Sequence, residues 1–331
     1  MNLLKAKEML GMRLCVLHNL NFYNSPRVFK PKNKKAISGG NVFYASIVAL
    51  PLLQFIVFYV VVNFNSFLMA FQSYDNSTGK AVIGFTFDNF AYFFDKIVFD
   101  DLWLCIKNSL LYLALNIVIC IPVSLLFSYY IYKKFLLSEL FKVILFLPSI
   151  VCSTAMVIFY KYFVNQGLAS LLGGSVIGPV YNEKQQGALV AFYLLMTFSA
   201  NILLYINAMS QIPDSVVEAS KIDGANEIKT FIHVIIPQIW GTIVSIIVIF
   251  LAWFATNQAY LFTFYGFNAN RQYQTIGYYL FNMVQDGRFT GSSLEQMYRK
   301  ASALGLMFTA IVAPLTILIR KLMLRYGPNE N

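Results

Sequence analysis

Seven stretches of this chain run for 18 residues or more without one Asp, Glu, Lys or Arg, and they constrain its folding more than any other feature. Six of them, Ala36 to Tyr74, Asn108 to Tyr132, Val143 to Tyr160, Gln185 to Pro213, Val234 to Asn270 and Ala301 to Ile319, can each cross a bilayer, which takes about 20 helical residues. The seventh, Tyr162 to Asn182, holds Gly167, Gly173, Gly174, Gly178 and Pro179. These break helices and would leave backbone groups unpaired in lipid, so it reads as an outside loop with a short interfacial piece. Charged residues are 12% of the chain against roughly 25% in soluble domains, too little polar surface to wrap a water-facing globule. The expected fold is an all-α integral membrane protein with six transmembrane helices.

An even number of spans puts both termini on one side. Of the 25 Lys and Arg, 16 fall on that side, 8 of them before the first span, so the N-terminus, two connecting loops and the C-terminus are expected in the cytoplasm. The domain reading is a basic lead over 1–41, a six-span domain over 42–324 with a cytoplasmic loop at 211–237, and a tail over 325–331. No small-residue cleavage pattern follows the first span, so the lead is expected to be retained. Within it, Leu3, Leu4, Met9, Leu10, Leu14, Leu17 and Leu20 form either one apolar helical face on the inner leaflet or part of a flexible tail. The net charge of +10 is scattered between apolar runs rather than gathered on one face, which argues against a nucleic-acid partner. Cys15, Cys105, Cys120 and Cys152 form no CxxC pair, and His18 and His233 allow no zinc spacing, so neither a metal nor a disulfide is expected.

Proton-coupled transporters usually keep Asp, Glu, His or Lys inside the membrane to carry the coupling charge, and the six windows hold no acid or lysine. A phosphate-binding P-loop needs GxxxxGK followed by Ser or Thr, whereas the only Gly-Lys step, Gly79 to Lys80, is followed by Ala81. If the chain pumps, the energy comes from another subunit, which needs a docking surface.

Residues 211–237 supply a candidate surface. Pro213 stops the fourth span, and Ser215 with Glu218 has capping-box spacing, so a short helix is expected to start there. Gly224 ends it by taking the left-handed conformation without a Cβ penalty. Ala225 to His233 rebuild a helix, and Pro237 separates it from the fifth span. Two short helices at an angle make a rigid knob. Its small residues Ala219, Ser220, Gly224 and Ala225 would let a partner approach closely, while Glu218, Asp223 and Glu227 could pair with basic groups. The plainer alternative is a solvated helical hairpin in which Glu218 is a cap and Asp223 a turn residue.

Glu218-Ala219-Ser220, then Gly224 four residues on, then Val234-Ile235-Ile236-Pro237, resembles the EAA loop in the membrane subunits of binding-protein-dependent ABC importers. Ser220 stands for the second Ala, and Ile222-Asp223-Gly224-Ala225 keeps the core of the pattern. Phe141 to Pro148, Pro51 with Phe58 and Tyr59, and Ala301 to Gly305 resemble the sugar-importing (maltose and multiple-sugar) group. A departure is Thr263-Phe264-Tyr265-Gly266-Phe267, where that group often has Thr followed by Gly-Gly-Pro. The resemblance implies the type I ABC importer permease fold in a bacterial cytoplasmic membrane. It also implies a cytoplasmic ATPase dimer that uses ATP and Mg, a second homologous six-span permease, an external solute-binding protein and a carbohydrate substrate. This chain would be non-catalytic and bind no cofactor. Glu218, Ala219, Ser220, Asp223, Gly224, Ala225 and Pro237 would form the ATPase-coupling loop.

Asn201, Asn257, Gln258 and Tyr260 are the candidates for a substrate pathway, because carbohydrate recognition pairs amide hydrogen bonds with aromatic faces. The alternative is that these amides hydrogen-bond between neighbouring helices. Two other functional classes stand beside the importer: an ion-coupled secondary transporter or channel, and an integral membrane enzyme acting on lipid or glycan. For the enzyme the acids Asp88, Asp95, Asp100 and Asp101 are the cluster to test, with a solvated loop as the simpler explanation. The same loop, Gln72 to Lys107, could help dock a binding protein.

Overall fold

The computed structural model describes residues 39–75, 80–82, 85–168, 171, 176–177, 183–285 and 292–328. The apolar face expected over Leu3 to Leu20 and the last three residues of the tail lie outside them. The chain divides into two units, residues 1–61 and 62–331. In the first, helix α1 (Gly39–Phe55) continues as a π-helical stretch, Ile56–Val61, and every described side chain from Phe43 to Val61 is exposed, as suits a surface meant for lipid.

The second unit begins with α2 (Val62–Ala70) and a two-stranded antiparallel hairpin, β1 (Ser73–Asp75) with β2 (Lys80–Val82), paired Tyr74 to Ala81. Then come α3 (Lys96–Leu115), a π turn at Asn116–Cys120 and α4 (Ile121–Tyr132). They are followed by α5 (Ser138–Ile150), α6 (Ser153–Tyr162) with a π turn at Phe163–Gly167, and α7 (Glu183–Met209). Next are α8 (Asp214–Ile222), α9 (Glu227–Thr230) running on through Gln238, and α10 (Trp240–Trp253). The last helices are α11 (Leu261–Tyr265), α12 (Ile276–Gln285) and α13 (Ser292–Tyr326). Helix α7 packs on α4 and α5, and α13 packs on α2, α10 and α12.

Four helices are long and apolar enough to cross a membrane: Phe43–Ala70, Lys96–Tyr132, Lys184–Met209 and Ser293–Tyr326. Two further pairs pass the same test only when joined, Ser138–Ile150 with Ser153–Gly167, bent by 107°, and Glu227–Gln238 with Trp240–Trp253, bent by 69°. Among the described residues the count is four, or six if each bent pair is one span.

Several expectations change here. Val143 to Tyr160 is not one straight helix: Val151 and Cys152 are extended, with ψ of 138° and 133°, three residues beyond Pro148. A proline deprives the preceding turn of a donor and so weakens the helix at that point. The window Val234 to Asn270 is not one helix: it holds the end of the α9 stretch up to Gln238, the 14 residues of α10 beyond a 69° bend, and then a turn and α11. The second and sixth spans start well before their charge-free windows. Asp95 caps α3 by accepting from Ile97 N at 3.1 Å, Asp100 and Asp101 lie within α3, and Asp101 pairs with Arg271, so these acids belong to a helix rather than to a solvated loop.

Two of the π turns have a legible cause. Pro122 and Pro237 each follow one, and the carbonyl four residues back, Val118 or His233, lies inside the turn, where the widened helix admits the proline ring.

Candidate functional site

Helix α8 begins two residues earlier than the capping box requires. Pro213 occupies the cap position with φ −61° and ψ 135°, no side chain caps the helix, and Ser215 lies inside its first turn. Asp214 puts a carboxylate at the positive end of the helix, which stabilises it instead. At the other end Gly224 has φ +78°, Ala225 N donates to Ser220 O at 2.9 Å, and Gly224 N donates to Lys221 O at 3.0 Å. These two bonds satisfy carbonyls that the helix end leaves open, and the left-handed residue that makes them possible is a glycine. The chain then turns straight into α9, whose cap is Asn226: its Oδ1 accepts from Lys229 N at 2.8 Å. The break before the fifth apolar helix falls at Ile239, not Pro237, because the π turn absorbs the proline and the helix continues to Gln238.

The knob has an inner and an outer face. Val217, Ser220, Thr230, Phe231 and Ile235 are buried, and the apolar ones join Leu125, Tyr129, Tyr205 and Met209 in one core that continues into α10. Each such side chain removed from water contributes roughly 1.5–3 kcal/mol, so the knob is anchored to α4, α7 and α10. Ser220 Oγ donates to Val217 O at 2.7 Å and lies 3.4 Å from Thr230 Oγ1. Its small size serves the packing of α8 on α9 rather than a partner. Glu227 is likewise used internally: Tyr129 Oη donates to its Oε2 at 2.6 Å, and Lys133 Nζ lies 2.9 Å from the same oxygen. The Tyr129 hydrogen bond, followed by Lys133, holds the Glu227 carboxyl below its usual range. Glu218, Ala219, Asp223 and Gly224 are exposed, Ala225 and Pro237 are half-buried, and three isoleucines project outward: Ile222, 86% exposed, with Ile228 and Ile232.

The residues expected in a substrate pathway fall into two groups. Thr256 to Tyr260 lie beyond the end of α10 rather than within a span, and Ala259 and Tyr260 are both left-handed, at φ +48° and +60°. Asn257 is fully engaged. Its Nδ2 donates to Tyr193 Oη at 2.7 Å, its Oδ1 accepts from Ala259 N at 2.8 Å, and its backbone carbonyl accepts from Thr275 Oγ1 at 2.7 Å. Asn116 Nδ2 donates to the same Tyr193 oxygen at 2.7 Å, so one phenol joins the π turn after α3, helix α7 and the turn after α10. Asn201 is buried with its Nδ2 3.8 Å from Cys120 Sγ. The side chains of Gln258 and Tyr260 make no hydrogen bond among the described residues, and the Tyr260 ring meets Phe192 edge-on at 5.3 Å.

Three positioning residues were not singled out in the sequence. Tyr193 carries no signal that separates it from the other tyrosines. Asn108 and Ser109 do: they are polar residues at the head of the charge-free window Asn108 to Tyr132, and they brace the turn before α12, Asn108 Nδ2 donating to Gln272 O and Gln274 O, both at 2.9 Å, and Ser109 Oγ accepting from Ile276 N at 3.0 Å.

Comparison with known proteins adds a family and a fold. Residues 107–328 match the binding-protein-dependent transport system inner membrane component family. The multiple sugar-binding transport system permease protein MsmF of Streptococcus mutans is 24% identical over 84% of this chain and 93% of its own length. The arabinooligosaccharides transport system permease protein AraP of Bacillus subtilis is 24% identical over 56% of this chain, which spans 60% of that relative. A subunit in the crystal structure of a bacterial ABC transporter involved in the import of the acidic polysaccharide alginate superposes with a TM-score of 0.69 at 17% identity, covering 88% of this chain and 98% of that one.

Proposed function

The chain belongs to the binding-protein-dependent transport system inner membrane component family and has the all-helical fold of an ABC importer permease, and from this we propose that it forms the pathway of an ATP-driven carbohydrate importer. The carrying observation is the knob made by α8 and α9. It is rigid, anchored in the core of the spanning helices, and presents an exposed apolar face with no described covering. Such a lever transmits a movement made elsewhere. In this reading an ATPase pair on the cytoplasmic side receives the knob, a second permease completes the pathway, and a solute-binding protein delivers substrate from outside. Both termini are cytoplasmic, each bent pair contributes one of six spans, with α10 the membrane part of the second pair, and the membrane is the bacterial cytoplasmic membrane. ATP and Mg stay with the ATPase, and this chain catalyses no step.

Coupling then rests on Glu218, Ala219, Asp223, Gly224, Ala225 and Pro237, with Ser220 acting from inside the knob. ATP closes the ATPase pair, the two knobs move together, and the helix bundles swing from inward-facing to outward-facing. Names of relatives favour a sugar or oligosaccharide as cargo. Of the four pathway candidates, Gln258 and Tyr260 have side chains available to a sugar, whereas Asn201 and Asn257 hold helices in place.

The test is purification of the chain from its native membranes in mild detergent, with identification of co-purifying subunits and an ATPase assay. The expected result is a P-loop ATPase and a second permease in the wild-type eluate. Gly224→Val cannot hold φ +78° without a cost of about 1–2 kcal/mol, so it should insert normally yet lose the ATPase and uptake. Space is not the obstacle, since a Cβ at Gly224 meets nothing within 4 Å. Recovery of the wild-type chain alone, with no ATPase activity, would refute the importer reading.

A further inference from the structure

A cavity of about 420 Å³ opens where the ends of α4 and α7, the start of α5 and helix α8 meet. Lys133, Lys134, Lys142 and Lys221 line it, with Glu139 and Asp214 as the only acids in its lining. Lys133 is committed to Glu227, but Lys134, Lys142 and Lys221 make no ion pair among the described residues. Four ammonium groups against the two carboxylates of the lining, with Lys133 held by Glu227 and Lys221 also acting on it, leave the cavity a net positive charge that a bound anion would offset.

The neighbouring surface says what kind of anion. The turn that leads from α4 to α5 reads Phe135-Leu136-Leu137, and Leu136 is 83% exposed. It is not loose: Tyr130 Oη donates to Leu136 O at 2.6 Å, and the Tyr130 ring packs on Phe135 and Phe141 at 5.3 and 5.7 Å. Lys134 and Leu137 are held in the left-handed region, at φ +52° and +62°. A fixed backbone that turns leucines outward is costly in water and favourable in lipid. Exposed apolar side chains continue along α5 through Leu140, Val143, Ile144 and Leu147. Cations in a hollow thus lie directly beside an apolar wall.

We propose that this cavity binds the phosphate of an anionic phospholipid, with the acyl chains lying along α5. A zwitterionic lipid brings its own ammonium group, which the free lysines would repel, so the headgroup is one with net negative charge. Because Lys221 belongs to α8 and Lys142 to α5, a bound lipid ties the knob to the elbow between two spans. The lipid then sets how freely the knob moves. This goes beyond the importer reading and depends only on the chain lying in a membrane.

The test uses the full-length chain in neutral detergent, titrated separately with dioleoyl phosphatidylglycerol, dioleoyl phosphatidylcholine and inorganic phosphate. Binding is read by native mass spectrometry and by the thermal unfolding midpoint. Phosphatidylglycerol should bind saturably and raise the midpoint, and the other two should not. Lys134→Gln, Lys142→Gln and Lys221→Gln should each weaken binding roughly fivefold and together on the order of 100-fold, while Lys321→Gln, outside the cavity, leaves it unchanged. If the triple variant fails to fold, the three single variants carry the comparison. Undiminished phosphatidylglycerol binding by the variants overturns the proposal, as does equal binding of phosphatidylcholine. Protection by inorganic phosphate equal to that by the lipid would reassign the cavity to free phosphate and overturn the lipid source. None of these outcomes depends on recovering an ATPase or a sugar, so the two proposals fail separately.

Discussion

Single residues decide how firmly the moving parts are held. Gly277 is buried at the start of α12, and a Cβ there would stand 2.4 Å from the backbone carbon and oxygen of Thr256. The obstacle is main chain, which cannot rotate away. Gly277→Ala should therefore destabilise the protein by about 1–3 kcal/mol, seen as a lower unfolding midpoint in detergent, and an unchanged midpoint would show that the turn after α10 yields freely. Glu227 gives a pH signature. Its carboxyl is lowered by Tyr129 and Lys133, so the native pKa lies below the unfolded value of about 4.3. The sign follows: the stability it contributes is present above that value and is lost as pH falls through the native pKa. At neutral pH Glu227→Gln should unfold at a lower temperature than wild type, with the gap closing below about pH 4. A gap that stays constant with pH would mean that the ion pair with Lys133 contributes nothing. Because this carboxylate is half exposed, screening by solvent keeps the effect small.

At the scale of elements, the exposed isoleucines of the knob separate docking from folding. Ile222→Ser with Ile228→Ser removes outward-facing apolar surface and touches none of the buried set, so the chain should unfold at its usual temperature while retaining the ATPase roughly tenfold or more weakly. Full retention would place the docking surface elsewhere. These elements also show what the sequence could disclose. Among the described residues, charge-free windows found the four long apolar helices and both bent pairs, because lipid admits few charges on any face, yet they set the starts of α3 and α13 too late, since Asp100, Asp101, Glu295 and Arg299 lie on helix that begins before the apolar stretch. Gly224 was legible because a helix that ends and turns sharply needs a left-handed residue. Ser215 misled because Pro213, whose ring fixes φ near −61° and whose ψ of 135° is extended, takes the cap position instead. The bends at Val151 and Ile239 were hidden, since each proline acts several residues from where the chain finally breaks. Tyr193 was illegible for another reason: its role exists only once the π turn after α3, helix α7 and the turn after α10 have come together.

For the molecule as a whole, the length of α10 has a consequence for how the protein is made. Its 14 residues rise about 21 Å, against about 30 Å of hydrocarbon in a bilayer. As the nascent chain leaves the ribosome, this segment alone is too short to settle across the membrane and must be received by a helix already there. Helix α7, at 27 residues, is long enough to insert on its own and shares a core with α10 through Tyr205 and Met209. Synthesis is therefore expected to be ordered, with α10 received by α7. In cell-free translation with membranes, a reporter carrying only Trp240–Trp253 should remain extractable by alkali, whereas one carrying Glu183 through Phe267 should not. Equal integration of the two would overturn that order. A mutation that slows insertion of α7 would then surface as degradation of the whole chain, with the defect recorded during translation and long before any substrate is met.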